Sequence, residues 1–285
     1  MSLKQPVKYP VKYYSHLDVG APQLANIDGN IKTIIKACLV TGIGDKAGAG
    51  WTSLFEDDFR IVLRRPLQTG NPTDIKIENG VINGIASHRI VSQNNPTGLD
   101  DTVELAAVNL LARDTQSTNK WYLVVSDFGL LFAYGMAENG NSANKALSML
   151  YIGSLVGLVN DVTGMVASYH KGTKLNGQHA PWSRAFASID TPLKNLWTNQ
   201  DYFNKSYYQV SGLERQFNND CVAQKILIGD NGASLPFYTS IALSYTDLTA
   251  SEINIDGRPM LRIVNRMGQD YDSRPYYIPI DYWEL

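Results

Sequence analysis

The stretch WYLVVSDFGLLFAYG, residues 121–135, predicts how the centre of this protein folds. Two apolar runs flank the segment from Asp127 to Gly129. Short apolar runs bounded by turn residues are typical of buried strands, and a tight turn would place the two strands side by side. A second apolar stretch, ALSMLYIGSLVGLV at residues 146–159, predicts another central strand. We therefore expect a β-sheet at the core.

Alternation of apolar and polar residues predicts further strands on both sides of this centre. FRIVLRR (59–65) and IASHRIV (85–91) alternate, and Asn79-Gly80 between two short alternating runs is typical of a hairpin turn. Apolar runs continue to the end of the chain, where RPYYIPIDYWEL (274–285) has the prolines of an edge strand. About eight to ten strands and one to three helices predict an α+β fold that is predominantly β, with antiparallel sheets.

One segment near the N-terminus has the period of an α-helix. Asp28 can cap its start and Gly42 can end it in a left-handed conformation. The apolar positions recur at helical spacing and form one stripe: Ile31, Ile34, Ile35, Cys38 and Leu39. The sequence thus predicts one prominent N-terminal amphipathic helix, with Cys38 as a buried free thiol.

The chain divides into four parts by composition. Three prolines exclude a regular helix from the first part, which predicts an extended arm that lies on its own domain or reaches a neighbouring subunit. The predicted parts are an N-terminal arm (1–22), the first part of the main α+β domain (23–160), a loop-rich excursion or insertion (161–220) and C-terminal strands that complete the sheet (221–285).

Composition and charge argue against several classes of function. A formal net charge of −2 leaves no basic surplus for phosphates, so no nucleic-acid partner is expected. Two cysteines are too few for a secreted disulfide framework, and the first residues have no apolar core typical of a signal peptide. No apolar run reaches the length of a membrane span, so no membrane role is expected.

A search for catalytic or ligand-binding patterns found none that holds together. The glycines of GIGDKAGAG (42–50) follow a helix, whereas a phosphate-binding loop precedes one. His170 and His179 lack the local partners of a zinc site. We therefore expect no enzyme activity and no catalytic residue, no cofactor, no metal and no small-molecule ligand.

The aromatic content favours protein contacts. Sixteen tyrosines and five tryptophans are present, and these side chains concentrate at interfaces, although they also line β-rich cores. The candidate interface residues are Tyr9, Tyr13, Trp51, Trp182, Trp197, Tyr276, Tyr277, Tyr282 and Trp283.

The segment GAPQLANIDGNIKTIIKACLVTGIGDKAGAGWTSLFEDDFRIVLRRP (20–66) resembles a pattern in structural proteins of tailed bacteriophages. The shared features are Gly-Ala-Pro at residue 20, Ala-Cys-Leu-Val-x-Gly from residue 37, a glycine- and lysine-rich turn, and Gly-Trp-Thr from residue 50. Residues 160–220 depart from the pattern.

This resemblance implies a structural subunit of the virion that sits in the tail, baseplate or neck and acts through protein–protein assembly. Its partners would be copies of itself and other virion proteins, and it would be made in the host cytoplasm. The alternatives are a capsid decoration protein, or a receptor- or carbohydrate-binding module suggested by Trp182, Trp197 and the tyrosines at 202–208.

Overall fold

The computed structural model describes residues 7–25, 27–66, 73–82, 85–101, 104–110, 120–127, 129–134, 148–153, 166–170, 183–187, 215–217, 221–228, 233–240, 251–267 and 272–284. Within these residues the chain forms one short helix and strands that assemble into antiparallel sheets, so the predicted predominantly β architecture is confirmed.

The bounds of the elements are as follows. The helix consists of α1 (Asn30–Lys36) and a π-helical turn (Ala37–Thr41) that continues it. The strands are β1 (Lys8–Pro10), β2 (Lys12–Ser15), β3 (Thr52–Glu56), β4 (Ile61–Arg64), β5 (Thr73–Ile82), β6 (Ile85–Asn94), β7 (Glu104–Leu110), β8 (Trp121–Ser126), β9 (Gly129–Tyr134), β10 (Ser148–Gly153), β11 (Val166–His170), β12 (Ser183–Ala187), β13 (Arg215–Phe217), β14 (Cys221–Ile228), β15 (Ala233–Ser240), β16 (Ser251–Ile255), β17 (Arg258–Met267), β18 (Asp272–Pro279) and β19 (Tyr282–Glu284).

The apolar stretch at 121–135 forms two strands of the central sheet, whose order is β12-β11-β10-β9-β8-β2. β8 and β9 pair from Trp121–Tyr134 to Ser126–Gly129, and all their residues are buried. The second apolar stretch supplies β10, which pairs with β9. Both predictions of buried central strands are confirmed.

The central sheet is covered on both faces, which explains why its strands are apolar throughout rather than alternating. On one face, Leu123, Phe132 and Leu150 join a core cluster with the helix and the N-terminal sheet, which has the order β3-β4-β5-β6-β7. On the other face, Val124 and Leu131 join a second cluster with residues of the C-terminal sheet, which has the order β13-β14-β15-β18-β17-β16. The central sheet therefore shares one core cluster with the N-terminal sheet and the helix, and a second with the C-terminal sheet.

The helix is shorter than predicted and begins later. Its α-helical part has seven residues and its π-helical turn has five. The predicted stripe of Ile31, Ile34, Ile35, Cys38 and Leu39 is buried, as expected, and Cys38 is a free thiol. The predicted cap at Asp28 is wrong, because Gly29 occupies that position with φ 74° and no side chain caps the helix. The backbone N–H of Gly29 instead donates to Oδ1 of Asn79 at 3.2 Å.

The predicted hairpin turn at Asn79-Gly80 is also wrong. Both residues lie inside β5, where they pair with His88 and Ser87 of β6. The pairing of β5 with β6 continues past them to Ile82 and Ile85. The sequence contains a second Asn-Gly pair at 83–84, so the Asn-Gly signal by itself did not identify where the strand ends.

The N-terminal residues that are described lie on their own chain. β1 pairs with β19 near the C-terminus, and β2 adds an edge to the central sheet through β8. Between them, Val11 N donates to the carbonyl of Asp281 at 3.0 Å. The division of the chain into four parts stays a prediction, and most of the predicted excursion at 161–220 lies outside the described residues.

Candidate assembly surface at the two ends of the helix

The C-terminal end of the helix is closed by the chain that follows it. A helix leaves its last carbonyls without partners inside the helix. Here Ala49 N donates to the carbonyl of Cys38 at 3.0 Å and Trp51 N to that of Leu39 at 3.1 Å. The π-helical turn and segment 49–51 are therefore joined by backbone hydrogen bonds.

The glycine turn, residues 42–50, needs glycine because backbone packs directly against backbone. A Cβ on Gly48 would lie 2.3 Å from the carbonyl oxygen of Val40, and one on Gly42 would lie 2.4 Å from that of Lys46. A Cβ on Gly44 would lie 2.6 Å from the carbonyl oxygen of Val19. These three glycines hold the turn against the helix and against residues 15–20.

Leu17 and Val19, which we call the knob, protrude beside the glycine turn. Leu17 is 76% exposed and Val19 is 88% exposed. Asp18, between them, accepts a hydrogen bond from Ser15 N at 2.9 Å and forms an ion pair with Lys46 at 2.8 Å. The knob therefore presents two aliphatic side chains on a turn that is hydrogen-bonded in place.

Lysines and tyrosines attach the glycine turn to β2. Lys46 Nζ donates to the carbonyl of Tyr13 at 3.0 Å, and Lys12 Nζ donates to that of Gly48 at 2.6 Å. The Tyr14 hydroxyl donates to the carbonyl of Ala47. Burial raises the pKa of Tyr14 to about 12, and burial followed by the nearby Glu252 raises the pKa of Tyr13. Both phenols thus stay neutral hydrogen-bonding groups.

Ile27 and Phe59, which we call the patch, are the exposed apolar side chains at the N-terminal end of the helix. Ile27 is 64% exposed and Phe59 is 50% exposed. A Cβ on Gly29 would lie 3.1 Å from the carbonyl oxygen of Asp58 and 3.8 Å from the Phe59 ring. Segment 27–29 is therefore in close contact with segment 58–59, which places the two exposed side chains near one another.

A buried lysine ties the patch to the helix. Lys32 Nζ donates to the carbonyls of Asp57 and Asp58 and forms an ion pair with Glu56 at 2.9 Å. Although burial disfavours the charge of Glu56, hydrogen bonds from Lys36 and Lys32 lower its pKa. The carboxylate is therefore ionised at neutral pH and keeps this corner charged.

The surroundings of the patch are acidic. Arg60 pairs with Asp57 at 2.7 Å and with Asp100 at 2.6 Å. Asp28 and Asp58 are exposed and have no ion pair among the described residues. Segments 27–29 and 56–60 together carry four carboxylates, Asp28, Glu56, Asp57 and Asp58, of which Glu56 and Asp57 form ion pairs.

One histidine stands near each end of the helix. His16 Nδ1 lies 3.2 Å from the carbonyl of Trp121, so this nitrogen carries the proton and donates. Burial lowers the pKa of His16, and burial also lowers the pKa of His88, which senses the charge of Asp28. Both imidazoles are therefore neutral at neutral pH.

The structure places the predicted interface residues in different environments. Trp51, Tyr276, Tyr277 and Trp283 are buried within this chain, so they contribute to its core. Tyr9 and Tyr13 are half-buried, as is Tyr282, whose ring lies 4.3 Å from Lys8 Nζ and 4.0 Å from the Arg258 guanidinium. Trp182 and Trp197 lie outside the described residues. That the half-buried tyrosines contact another protein stays a prediction.

Sequence reasoning missed the four exposed apolar side chains of the knob and the patch. The sequence does contain a signal for these side chains, since each lies among turn-forming Asp and Gly residues. The segments are LDVG (17–20), NIDG (26–29) and DDFR (57–60). A turn residue has no sheet face on which to bury its side chain.

In the part of the chain that the structure describes, no group of three or more His, Cys, Asp or Glu side chains could hold a metal ion. No described helix is long and apolar enough to cross a membrane.

Comparison with known proteins found no match. No protein-family model matches the chain, and neither a curated protein nor a solved structure shows significant similarity to it.

Proposed function

We propose that this chain is a structural subunit of a tailed-bacteriophage virion, in the tail, baseplate or neck, and that it acts through protein–protein assembly rather than catalysis. The observation that carries the proposal is the fold of segment 20–66, the segment that resembles virion proteins. It forms the helix, the glycine turn and the first strands of the N-terminal sheet, and exposed apolar side chains stand at each end of its helix.

The chemistry of this segment supports assembly. Its glycines are used for backbone packing and its lysines for ion pairs and hydrogen bonds to carbonyls, so these groups are committed to structure. Large apolar side chains held on fixed turns are suited to contacts with another protein, because little conformational entropy is lost on binding. Its helix buries one apolar stripe in the same core cluster as the central and N-terminal sheets, and it accepts backbone hydrogen bonds from Ala49 and Trp51 of the chain that follows.

The test is mass spectrometry of purified phage particles from a culture of the host that carries this gene. We expect peptides from this protein in particles, in fixed proportion to the major capsid protein. If capsid peptides were abundant and peptides from this chain were absent, the proposal would be wrong.

Position within the particle requires a separate measurement. Electron microscopy with an antibody against this protein should label the tail, baseplate or neck. Label spread over the head, with a copy number near that of the capsid protein, would favour the alternative of a capsid decoration protein.

A further inference from the structure

Resting on the proposed function, which makes copies of this chain neighbours, we infer that two copies pair edge to edge through β16. This strand (Ser251–Ile255) is the last in the order of the C-terminal sheet. The two β16 strands run antiparallel about a twofold axis, with Ile253 of one copy opposite Ile253 of the other. The two C-terminal sheets then form one continuous sheet, and the contact is self-complementary.

The hairpin of β16 and β17 determines which backbone groups of β16 point away from the sheet. Residues 256–257 form its two-residue turn with φ of 51° and 80°, so Ile255 and Arg258 beside the turn are a hydrogen-bonded pair. Because hydrogen-bonded and non-hydrogen-bonded pairs alternate along an antiparallel ladder, Asn254 and Glu252 direct their N–H and C=O groups outward.

Pro259 supports this assignment of the outward groups. It lies opposite Asn254, it has no N–H to donate, and its carbonyl accepts a hydrogen bond from Ile280 N at 3.2 Å. Glu252 and Asn254 are exposed, and within the described residues no hydrogen bond reaches their outward backbone groups. The free edge of β16 therefore offers the N–H and C=O groups of both residues to another strand.

Three other edge strands carry features that hinder pairing with a further strand. β1 contains Pro10, β3 has a bulge between Ser53 and Phe55, and on β2 the Lys46 ammonium group binds the carbonyl of Tyr13. β16 keeps a regular register with β17 along its whole length and contains neither proline nor lysine. An edge without such protection is suited to pairing with a strand of another molecule.

Charge selects one register for a second copy of β16. With Ile253 at the centre, Glu252 lies opposite Asn254 of the second copy, and the outward groups of both residues are hydrogen-bonded. The Asn254 amide can then donate to the carboxylate across the pair. A register centred on Glu252 places two carboxylates opposite each other, and one centred on Asn254 places Glu252 opposite Asp256. Like charges directly opposite one another destabilise a strand pair, so only the first register is favourable.

The other charged groups near this edge leave that choice unchanged. Arg258 forms an ion pair with Asp281 at 3.0 Å within its own copy. Burial, followed by the charge of Glu252, raises the pKa of Tyr13, so this phenol is neutral beside the carboxylate. Asp256 lies beyond the end of the opposite strand. The two Glu252 residues lie on a diagonal of about 7–8 Å, where water and salt screen their repulsion.

An apolar cluster continues across the paired edge. Ile253 and Ile255 of β16 pack with Met260 and Tyr277 on the face of the C-terminal sheet opposite to that of Glu252. In the proposed register the two Ile253 residues form a non-hydrogen-bonded pair, whose Cα atoms lie about 4.5 Å apart. Their side chains therefore meet and cover each other.

The contact is weak for isolated molecules. A strand of five residues buries less than the roughly 1,200 Å² of a stable interface. In a particle, neighbouring subunits are held at high effective concentration, which strengthens such a contact without any new interaction. Self-association of the purified protein should therefore depend on its concentration.

Sedimentation velocity of two charge variants over a range of concentrations tests the register. Asn254→Lys places a cation opposite Glu252 of the second copy and should tighten the dimer about tenfold, whereas Asn254→Asp should weaken it about tenfold, since each dimer contains the pair twice. Asn254 is exposed, so circular dichroism should show both variants folded. Thr52→Lys and Thr52→Asp, at an exposed residue of edge strand β3, are the matched controls and should change nothing.

Mixing two variants separates a specific pair from an effect of net charge. Glu252→Lys and Asn254→Asp together place a lysine opposite an aspartate in the mixed dimer. The mixture should therefore associate more tightly than either variant alone.

A cysteine at the twofold axis then locates the contact. Ile253→Cys should form a disulfide between copies under mild oxidation, because opposite residues of such a pair have the Cα separation of a disulfide. Asn254→Cys, whose counterpart lies on the diagonal, should cross-link much more slowly. The unchanged protein, which has Cys38 and Cys221, provides the background.

Three results would each overturn the inference. They are equal self-association of the Asn254→Lys and Asn254→Asp variants, cross-linking at position 254 as fast as at position 253, and a monomer at every concentration. All of these measurements use purified protein and do not depend on whether the protein is found in particles. Failure of the contact and failure of the proposed function are therefore distinguishable.

Discussion

The two ends of the helix are built from the same parts but depend on different interactions. Each end has a glycine with positive φ, a lysine that binds backbone carbonyls and two exposed apolar side chains. At the C-terminal end, backbone packs on backbone, and a Cβ on Gly48 would lie 2.3 Å from a carbonyl oxygen. At the N-terminal end the matching distance at Gly29 is 3.1 Å, and a buried ammonium group holds the segments together. The C-terminal end should therefore be sensitive to one added methyl group, and the N-terminal end to the loss of one charge.

The largest effect is expected for Gly48→Ala. The new methyl group meets the backbone of Val40, which cannot move without breaking the hydrogen bonds from Ala49 and Trp51 to the helix. We expect a loss of roughly 3 kcal/mol or more in the free energy of unfolding, measured by urea denaturation. Gly98→Ala is the matched control, because nothing lies within 4 Å of its Cβ position. Equal stability of the two variants would contradict the close packing of the glycine turn.

Lys32→Met should have the next largest effect. Methionine keeps most of the apolar volume but leaves the carbonyls of Asp57 and Asp58 without their donor in a partly buried site. We expect a loss of about 2 kcal/mol. Lys46→Met at the other end should cost less than about 1 kcal/mol, because the Lys46 side chain is 45% exposed whereas that of Lys32 is 9% exposed. The reverse order would show that the two ends do not differ in this way.

Gly29→Ala should be milder than Gly48→Ala. The residue has φ 74°, which costs an alanine about 1–2 kcal/mol, and its Cβ contact with Asp58 is tight but not prohibitive. Gly257→Ala provides the reference for the backbone term alone, since φ is 80° there and no atom lies within 4 Å. Thermal unfolding of both variants should show Gly29→Ala less stable than Gly257→Ala, and the difference measures the crowding at the patch.

The smallest effect concerns pH. The unfolded-state pKa of histidine is about 6.5, and burial lowers the folded-state pKa of both His16 and His88. Below pH 6.5 the unfolded state therefore binds more protons, so stability is full above that pH and falls as the pH drops toward the lowered values. Urea denaturation as a function of pH should show this slope, and His16→Gln and His88→Gln should each flatten it. An unchanged slope in both variants would rule out these histidines as its source.

The central strands and the buried face of the helix were predicted correctly, because both follow from the spacing of apolar residues along a short stretch of sequence. Most of the apolar run at 121–135 lies in β8 and β9, which are buried throughout, and the stripe from Ile31 to Leu39 is buried on one side of the helix. The prediction of the hairpin turn failed, because the sequence offers two Asn-Gly pairs close together and nothing local distinguishes them. Asn79-Gly80 was predicted to form a turn, yet it lies within a strand because the ladder of β5 and β6 continues past it.

The candidate surface could not be predicted from the sequence, because residue type alone does not show which side chains the fold buries. Tyr and Trp indicate contacts, but burial decides whether a contact is internal, and Trp51, Tyr276 and Trp283 are used inside the chain. Leu17 and Ile27 look like ordinary core residues in the sequence, yet both lie exposed beside turns.

The sequence by itself determined that this protein is predominantly β, where its central strands lie and which face of its helix is buried, because these properties follow from the spacing of apolar residues along the chain. Only the tertiary structure decided where the helix begins, which aromatic side chains are internal and which apolar ones stay exposed. Those outcomes depend on contacts between residues far apart in sequence, such as Gly29 with Asn79 and Lys46 with Tyr13.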